Sequence, residues 1–127
     1  MNPPVPAVLA ELAGLAIKNA MPGVPDAERA SDLGLSAALL GVAAEIWDRQ
    51  AHILVEENRA IRALLGEAGG DDDLRLSVLK AGNDRLRAAL IEAHAAAEAA
   101  GDTARQTVIW AELVAATDRR RLSSAPV

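Results

Sequence analysis

The 127-residue chain has no cysteine, phenylalanine or tyrosine, and only two tryptophans. Without thiols it can form no disulfide, thiolate metal site or cysteine nucleophile, so the fold must rest on its hydrophobic core. The lack of aromatic side chains excludes the usual filling of a β-sandwich or barrel, which draws on aromatic and β-branched residues. Cationic charge is also scarce, with 13 Lys and Arg against 18 Asp and Glu and a net charge of −5. A nucleic-acid binder needs the opposite balance to neutralise phosphates.

Long hydrophobic runs are missing as well. The longest uncharged apolar stretch, Ala37 to Ala44, is less than half of the ~20 residues a bilayer span requires. The opening Met1-Asn-Pro-Pro-Val-Pro carries no basic region, and Glu11 and Lys18 interrupt the apolar stretch after it, so it does not read as a signal peptide. These absences predict a soluble, cytoplasmic protein with neither a membrane nor a nucleic acid as partner.

What is present is alanine, at 29 positions, and leucine, at 17. Both are strong helix formers, and the expectation is a single all-α domain over residues 1–127, with 1–6 and 123–127 as flexible ends. Arginine outnumbers lysine 11 to 2, which together with the alanine points to a GC-rich bacterial genome.

Punctuation and periodicity predict four helices. The first runs from about Ala7 to Ala20, with Val8, Leu9, Leu12, Leu15 and Ala16 on one stripe and Met21-Pro22-Gly23-Val24-Pro25 as its stop. The second begins near Ser31 or Asp32, after a short turn capped by Asp26, and continues to about Gly66. Leu40, Trp47, Leu54 and Ile61 recur every seven residues along it, the mark of helix-on-helix packing. Gly69-Gly70 makes the turn, and Asp71, Asp72 and Asp73 open the third helix, where negative charge suits the helix dipole. Its seam is Leu76, Leu79, Asn83, Leu86, Leu90, Ala93, Ala97 and Ala100, closed by Gly101. Asp102 or Thr103 starts the fourth helix, Thr103 with Gln106 fitting a capping box, and its inner face reads Val108, Trp110, Leu113, Val114 and Thr117. Arg119, Arg120 and Arg121 complement that helix's C-terminal dipole. Trp47 and Trp110 read as core or interface anchors.

An internal repeat, Asn-x-x-(Ile/Leu)-Arg-Ala-x-Leu, places Asn58 and Arg62 in correspondence with Asn83 and Arg87, offset by 25 residues. Asn58 lies as far before the Gly69-Gly70 turn as Asn83 lies after it, so a hairpin puts both at one height. There they form a polar seam that fixes register or, alternatively, polar contacts in a ligand cavity with Arg62 and Arg87. Glu56, Glu57 and Asp84 are available to pair with the arginines.

Catalytic signatures are lacking. Neither His52 nor His94 has a glutamate three residues earlier, as a di-iron bundle requires. The stripe Glu45, Asp48, His52, Glu56 reads as a solvated face rather than a metal or proton-transfer site. The serines have no histidine at a suggestive position, and Gly66, Gly69 and Gly70 precede an acidic triplet that repels phosphate. The expectation is a non-enzyme with no metal and no cofactor.

Helix lengths carry the functional expectation. The middle pair, about 30 residues each, spans about 45 Å, and the outer pair only about 20–30 Å. An antiparallel four-helix bundle with a long central hairpin then leaves the hairpin tip bare, exposing Ile61, Leu64, Leu65, Leu74, Leu76 and Leu79. Such a patch predicts an interface, most simply a two-fold homodimer through the tips, or docking of another protein's helix. The function expected is non-catalytic self-association and protein–protein interaction. The alternatives are a small-molecule or metal-binding bundle, and an export or assembly chaperone that shields an amphipathic helix.

Overall fold

The computed structural model describes residues 4–122. The expected mobility of 1–6 and 123–127 therefore falls largely outside the described residues. The architecture is all-α, with four helices: α1 (Val5–Ala20), α2 (Asp26–Leu65), α3 (Leu76–Ala99) and α4 (Thr103–Arg119). The described residues divide into two compact units, one of residues 4–49 with Leu122 and the other of Gln50–Arg121. The long α2 contributes to both.

In the first unit, α1 begins at Pro4, with Pro6 in its first turn where a missing amide hydrogen costs nothing. It ends at Met21, and α2 starts as soon as Pro25 is passed. Lys18 Nζ lies 2.6 Å from Glu28 Oε1 and 3.0 Å from Asp32 Oδ2, and Asn19 Nδ2 donates to Asp32 Oδ2 at 2.8 Å. These contacts close an antiparallel pair of α1 with the first half of α2. Val5, Val8, Ala43 and Ile46 are its buried apolar residues. α2 begins at Asp26 rather than near Ser31. Gly34 lies within the helix, and its lack of a side chain does not interrupt it.

The second unit packs the end of α2 against α3 and α4 around Ile61, Leu86, Leu90 and Ile109, with Leu64, Leu65, Ala93 and Leu113 at the margin. Here the chain takes a course that helix periodicity does not indicate. Gly66, at φ +69°, ends α2: its N–H donates to Ala63 O, and the N–H of Glu67 donates to Arg62 O at 2.9 Å. This is the paired closure that a glycine in the left-handed region permits. α3 ends the same way at Gly101, φ +66°, with Asp102 N–H on Ala97 O and Gly101 N–H on Glu98 O. Residues 66–75 form no helix, so the acidic triplet does not open α3. Asp71 is drawn back onto α2 instead, accepting from Arg62 Nη1 and Nη2 at 3.1 and 2.7 Å and from Asn58 Nδ2 at 3.2 Å.

The connecting segment thus retraces the end of α2 before α3 begins, and α2 and α3 run in the same direction. The course of α4 requires this. It leaves α3 through a tight turn and runs antiparallel to it, with Gln106 Nε2 donating to Ala97 O at 3.3 Å. Its first turn meets the end of α2, where Arg105 donates to Leu64 O, and its last residues reach Glu57, a full two turns earlier in α2. Being antiparallel to both, α4 fixes the other two as parallel. The expected central hairpin is therefore replaced by a parallel pair with a return segment, while the helical class and the four helices stand. A 25-residue repeat has a natural place in such a pair, because equivalent positions on parallel helices lie side by side.

The bare tip disappears for the same reason. Ile61 is 2% exposed and Leu79 1%, covered by this chain itself. Leu64, Leu65 and Leu76 are partly buried, and only Leu74, at 62%, remains open. The inner face of α4 is Ile109, Leu113 and Ala116: Leu113 lies where expected, whereas Val108, Trp110, Val114 and Thr117 are exposed. Neither tryptophan is a core residue. Of the two expected starts, Asp102 caps α4, accepting from Arg105 N–H at 2.9 Å.

Candidate functional site

The most concentrated polar chemistry lies in the second unit, where Glu57, Asn58 and Asn83 are all buried. Spacings of three and four carry the packed face of α2 through Ile46, Gln50, Ile53, Glu57 and Ile61, so Glu57 projects where an apolar side chain would normally sit. Asn83 occupies the equivalent position on α3, between Leu79 and Leu86. Parallel register brings the asparagines together: Asn83 Nδ2 donates to Asn58 Oδ1 at 3.0 Å and to Glu57 Oε1 at 3.1 Å. Asn58 Nδ2 is spent on Asp71 and on Leu79 O, at 3.4 Å. Asn83 Oδ1 accepts from Arg120 Nη2 at 3.2 Å. Every polar side-chain atom of the two asparagines is used within the chain.

Glu57 is the hub. Arg87 Nη1 reaches its Oε1 at 2.7 Å, and Arg120 grips both oxygens, Nη2 on Oε1 at 2.8 Å and Nε on Oε2 at 2.9 Å. Burial is the largest single influence on this carboxyl and pushes its pKa up. The hydrogen bonds from Arg120, Arg87 and Asn83 together outweigh it and hold the group ionised, below its ordinary value of 4.5. Asp71 is likewise held below 3.8, chiefly by Arg62, against a smaller opposing effect of burial, with help from Asn58. A buried carboxylate whose two oxygens are occupied by guanidinium groups is a poor proton acceptor, because taking up a proton would forfeit those bonds. Chemically, the cluster locks helices together.

Of the expected polar seam, Asn58, Asn83 and Arg87 converge on this cluster, with Arg62 joined to it through Asp71. Arg120, which the sequence places in a C-terminal basic run, is the member that reading misses. A signal for it exists: Ile109, Leu113, Ala116 and Arg120 follow the same spacings of four and three. Glu56 and Asp84 pair instead with Arg59 and Lys80 on the surface. Beside the cluster opens a cleft of about 100 Å³, bordered by Glu57, Arg87, His94 and Glu112 and walled by Ile61, Leu90, Ile109 and Leu113. The His94 ring meets Trp110 edge-on, with centroids 6.1 Å apart. Among the described residues no group of His, Asp and Glu could hold a metal ion.

A second feature belongs to the first unit. Leu33, Leu40 and Trp47, seven residues apart on α2, are 67%, 55% and 73% exposed, while Leu54 and Ile61 in the same register are buried in the second unit. α2 is also the one described helix long and apolar enough to cross a membrane by length and composition, with a window of mean hydropathy 1.3. Asp32, Glu45 and Asp48 lie within or beside that region. Compared with family models, curated proteins and solved structures, the chain matches none.

Proposed function

We propose that the protein is a non-catalytic interaction module that self-associates through the first half of α2, not through residues 61–79. The observation that carries this reading is the exposed stripe Leu33, Leu40, Trp47. A seven-residue recurrence of large apolar side chains is a helix-packing seam, and on the first half of α2 that seam stands exposed. Open apolar patches on folded proteins mark interaction surfaces, and tryptophan is among the residues most enriched as interface anchors. A two-helix hairpin buries little by itself. Two such hairpins laid stripe to stripe make a four-helix bundle with an isologous interface. The glutamates and aspartates flanking the stripe favour a protein surface over a bilayer, where each charge is costly.

Light scattering coupled to size-exclusion chromatography tests this at micromolar concentration. The native chain should elute as a dimer, and Leu40→Glu with Trp47→Glu as a monomer of unchanged helicity. A native monomer refutes self-association. If that monomer floats with lipid vesicles, the stripe is a membrane surface; if it protects an amphipathic peptide from aggregation, it serves a chaperone.

A further inference from the structure

We propose that the cleft in the second unit is a binding site for a small amphipathic carboxylate. Its head is held by Arg87, and its chain lies along Ile61, Leu90, Ile109 and Leu113 toward His94. This inference is independent of self-association, since every residue involved lies within Gln50–Arg121.

Size and lining set the apolar part of the ligand. An apolar cavity of about 150 Å³ accommodates benzene, so the cleft of about 100 Å³ seats a few carbons and no bulky ring system. The rest of a short chain would lie over Ile91, which borders the cleft and is 70% exposed. Charge sets the head. Glu57 is held by Arg120 as well as Arg87, and Glu112, the other acid bordering the cleft, is paired with Arg119. The Arg87 side chain is 42% exposed and spends only Nη1 on Glu57, so the rest of its guanidinium fork faces no competitor for an incoming carboxylate.

The distance from Arg87 to His94 sets the length of the chain. Arg87 and His94 are seven positions apart on α3, about 10 Å along the axis, close to the length of an extended eight-carbon chain.

Methyl NMR of the full chain, titrated with octanoate and with octanol as its neutral twin, tests the site. Octanoate should give saturable shifts at Ile61, Ile91, Ile109 and Leu113 with a sub-millimolar dissociation constant, and octanol should bind about tenfold more weakly. Ala116→Leu, which fills the cleft, should abolish the shifts, and Arg87→Gln should erase the preference for octanoate over octanol. Should either variant fail to fold, the octanoate-to-octanol ratio of the native chain decides. The proposal is overturned by unsaturable shifts, by equal affinity for the two probes, by binding that survives Ala116→Leu, or by shifts centred on Leu33, Leu40 and Trp47.

Discussion

Replacing Arg120 with methionine isolates what holds α4 to the rest of its unit. The change keeps most of the side-chain volume and removes, among the bonds of Arg120, two to the Glu57 carboxylate, at 2.8 and 2.9 Å, and one to Asn83 Oδ1 at 3.2 Å. Glu57 is completely buried, and its Oε2 has no other donor among the bonds that define the cluster. Breaking a buried ion pair by deleting one partner costs about 3–5 kcal/mol. Arg87 and Asn83 still serve Oε1, so the lower end, about 3 kcal/mol, is expected. Urea unfolding followed by circular dichroism reads this directly. With a slope of about 1–3 kcal/mol per molar, the midpoint should fall by at least 1 M, roughly, at unchanged slope. Glu57→Gln in the Arg120→Met background should cost much less than in the native chain, giving a coupling of about 1.5–3 kcal/mol. The effect should also depend on pH with a definite sign. Because the folded-state pKa of Glu57 is depressed, the stabilisation is full above the unfolded value and is lost as pH falls through the folded one. The Arg120→Met penalty should therefore shrink in acid. A penalty below about 0.5 kcal/mol at neutral pH, within the range of an ordinary surface substitution, would mean that Arg120 lies in solvent and that the cluster is not a lock.

Asp71→Asn, which ends the bidentate pairing with Arg62, should lower stability by about 1–3 kcal/mol at neutral pH; since Asp71 is also depressed, native and variant stabilities should converge as pH drops below the carboxylate range. Ile61→Ala should cost about 2–5 kcal/mol and Leu74→Ala less than about 0.5 kcal/mol, and equal small effects in thermal melts would restore the uncovered tip. Gly66→Ala and Gly101→Ala place a side chain at φ +69° and +66°, so each should destabilise by about 1–2 kcal/mol. Gly41→Ala, mid-helix with open space around it, should instead be neutral or stabilising by up to about 1 kcal/mol in the same melts.

Parts of the candidate site are legible in the residues and parts are not. The repeat marks Asn58 and Asn83 as a pair, and they do meet, because two polar groups on packed faces at matching positions have no cheaper partner than each other. A hairpin is nevertheless the wrong reason for the pairing. Equal distance from a turn and equal position in a repeat both bring residues 58 and 83 together, so that pair alone cannot tell antiparallel from parallel. The sequence offers Glu57 as a partner for the arginines of the repeat, but its burial and its pairing with Arg120 escape a sequence reading, because charged residues read as surface and these two are 63 positions apart. Trp47 and Trp110 read as inward from their size. Trp110 leaves the buried place to its neighbour Ile109, and Trp47 is exposed although Leu54 and Ile61 in its own register are buried.

Local energetics accounts for the elements of this chain. Composition and periodicity dictated four helices, and glycines able to adopt positive φ set the ends of α2 and α3, because backbone propensity and capping involve only residues within a turn of one another. Tertiary structure alone decided the direction of α3 and, with it, which leucines are covered. A periodic stripe specifies the face a helix buries and says nothing of whether its neighbour runs up or down. That choice rests on Asp71 turning back to Arg62 and Asn58, and on Glu57 collecting arginines from two other helices, interactions whose energy exists only once distant segments have met.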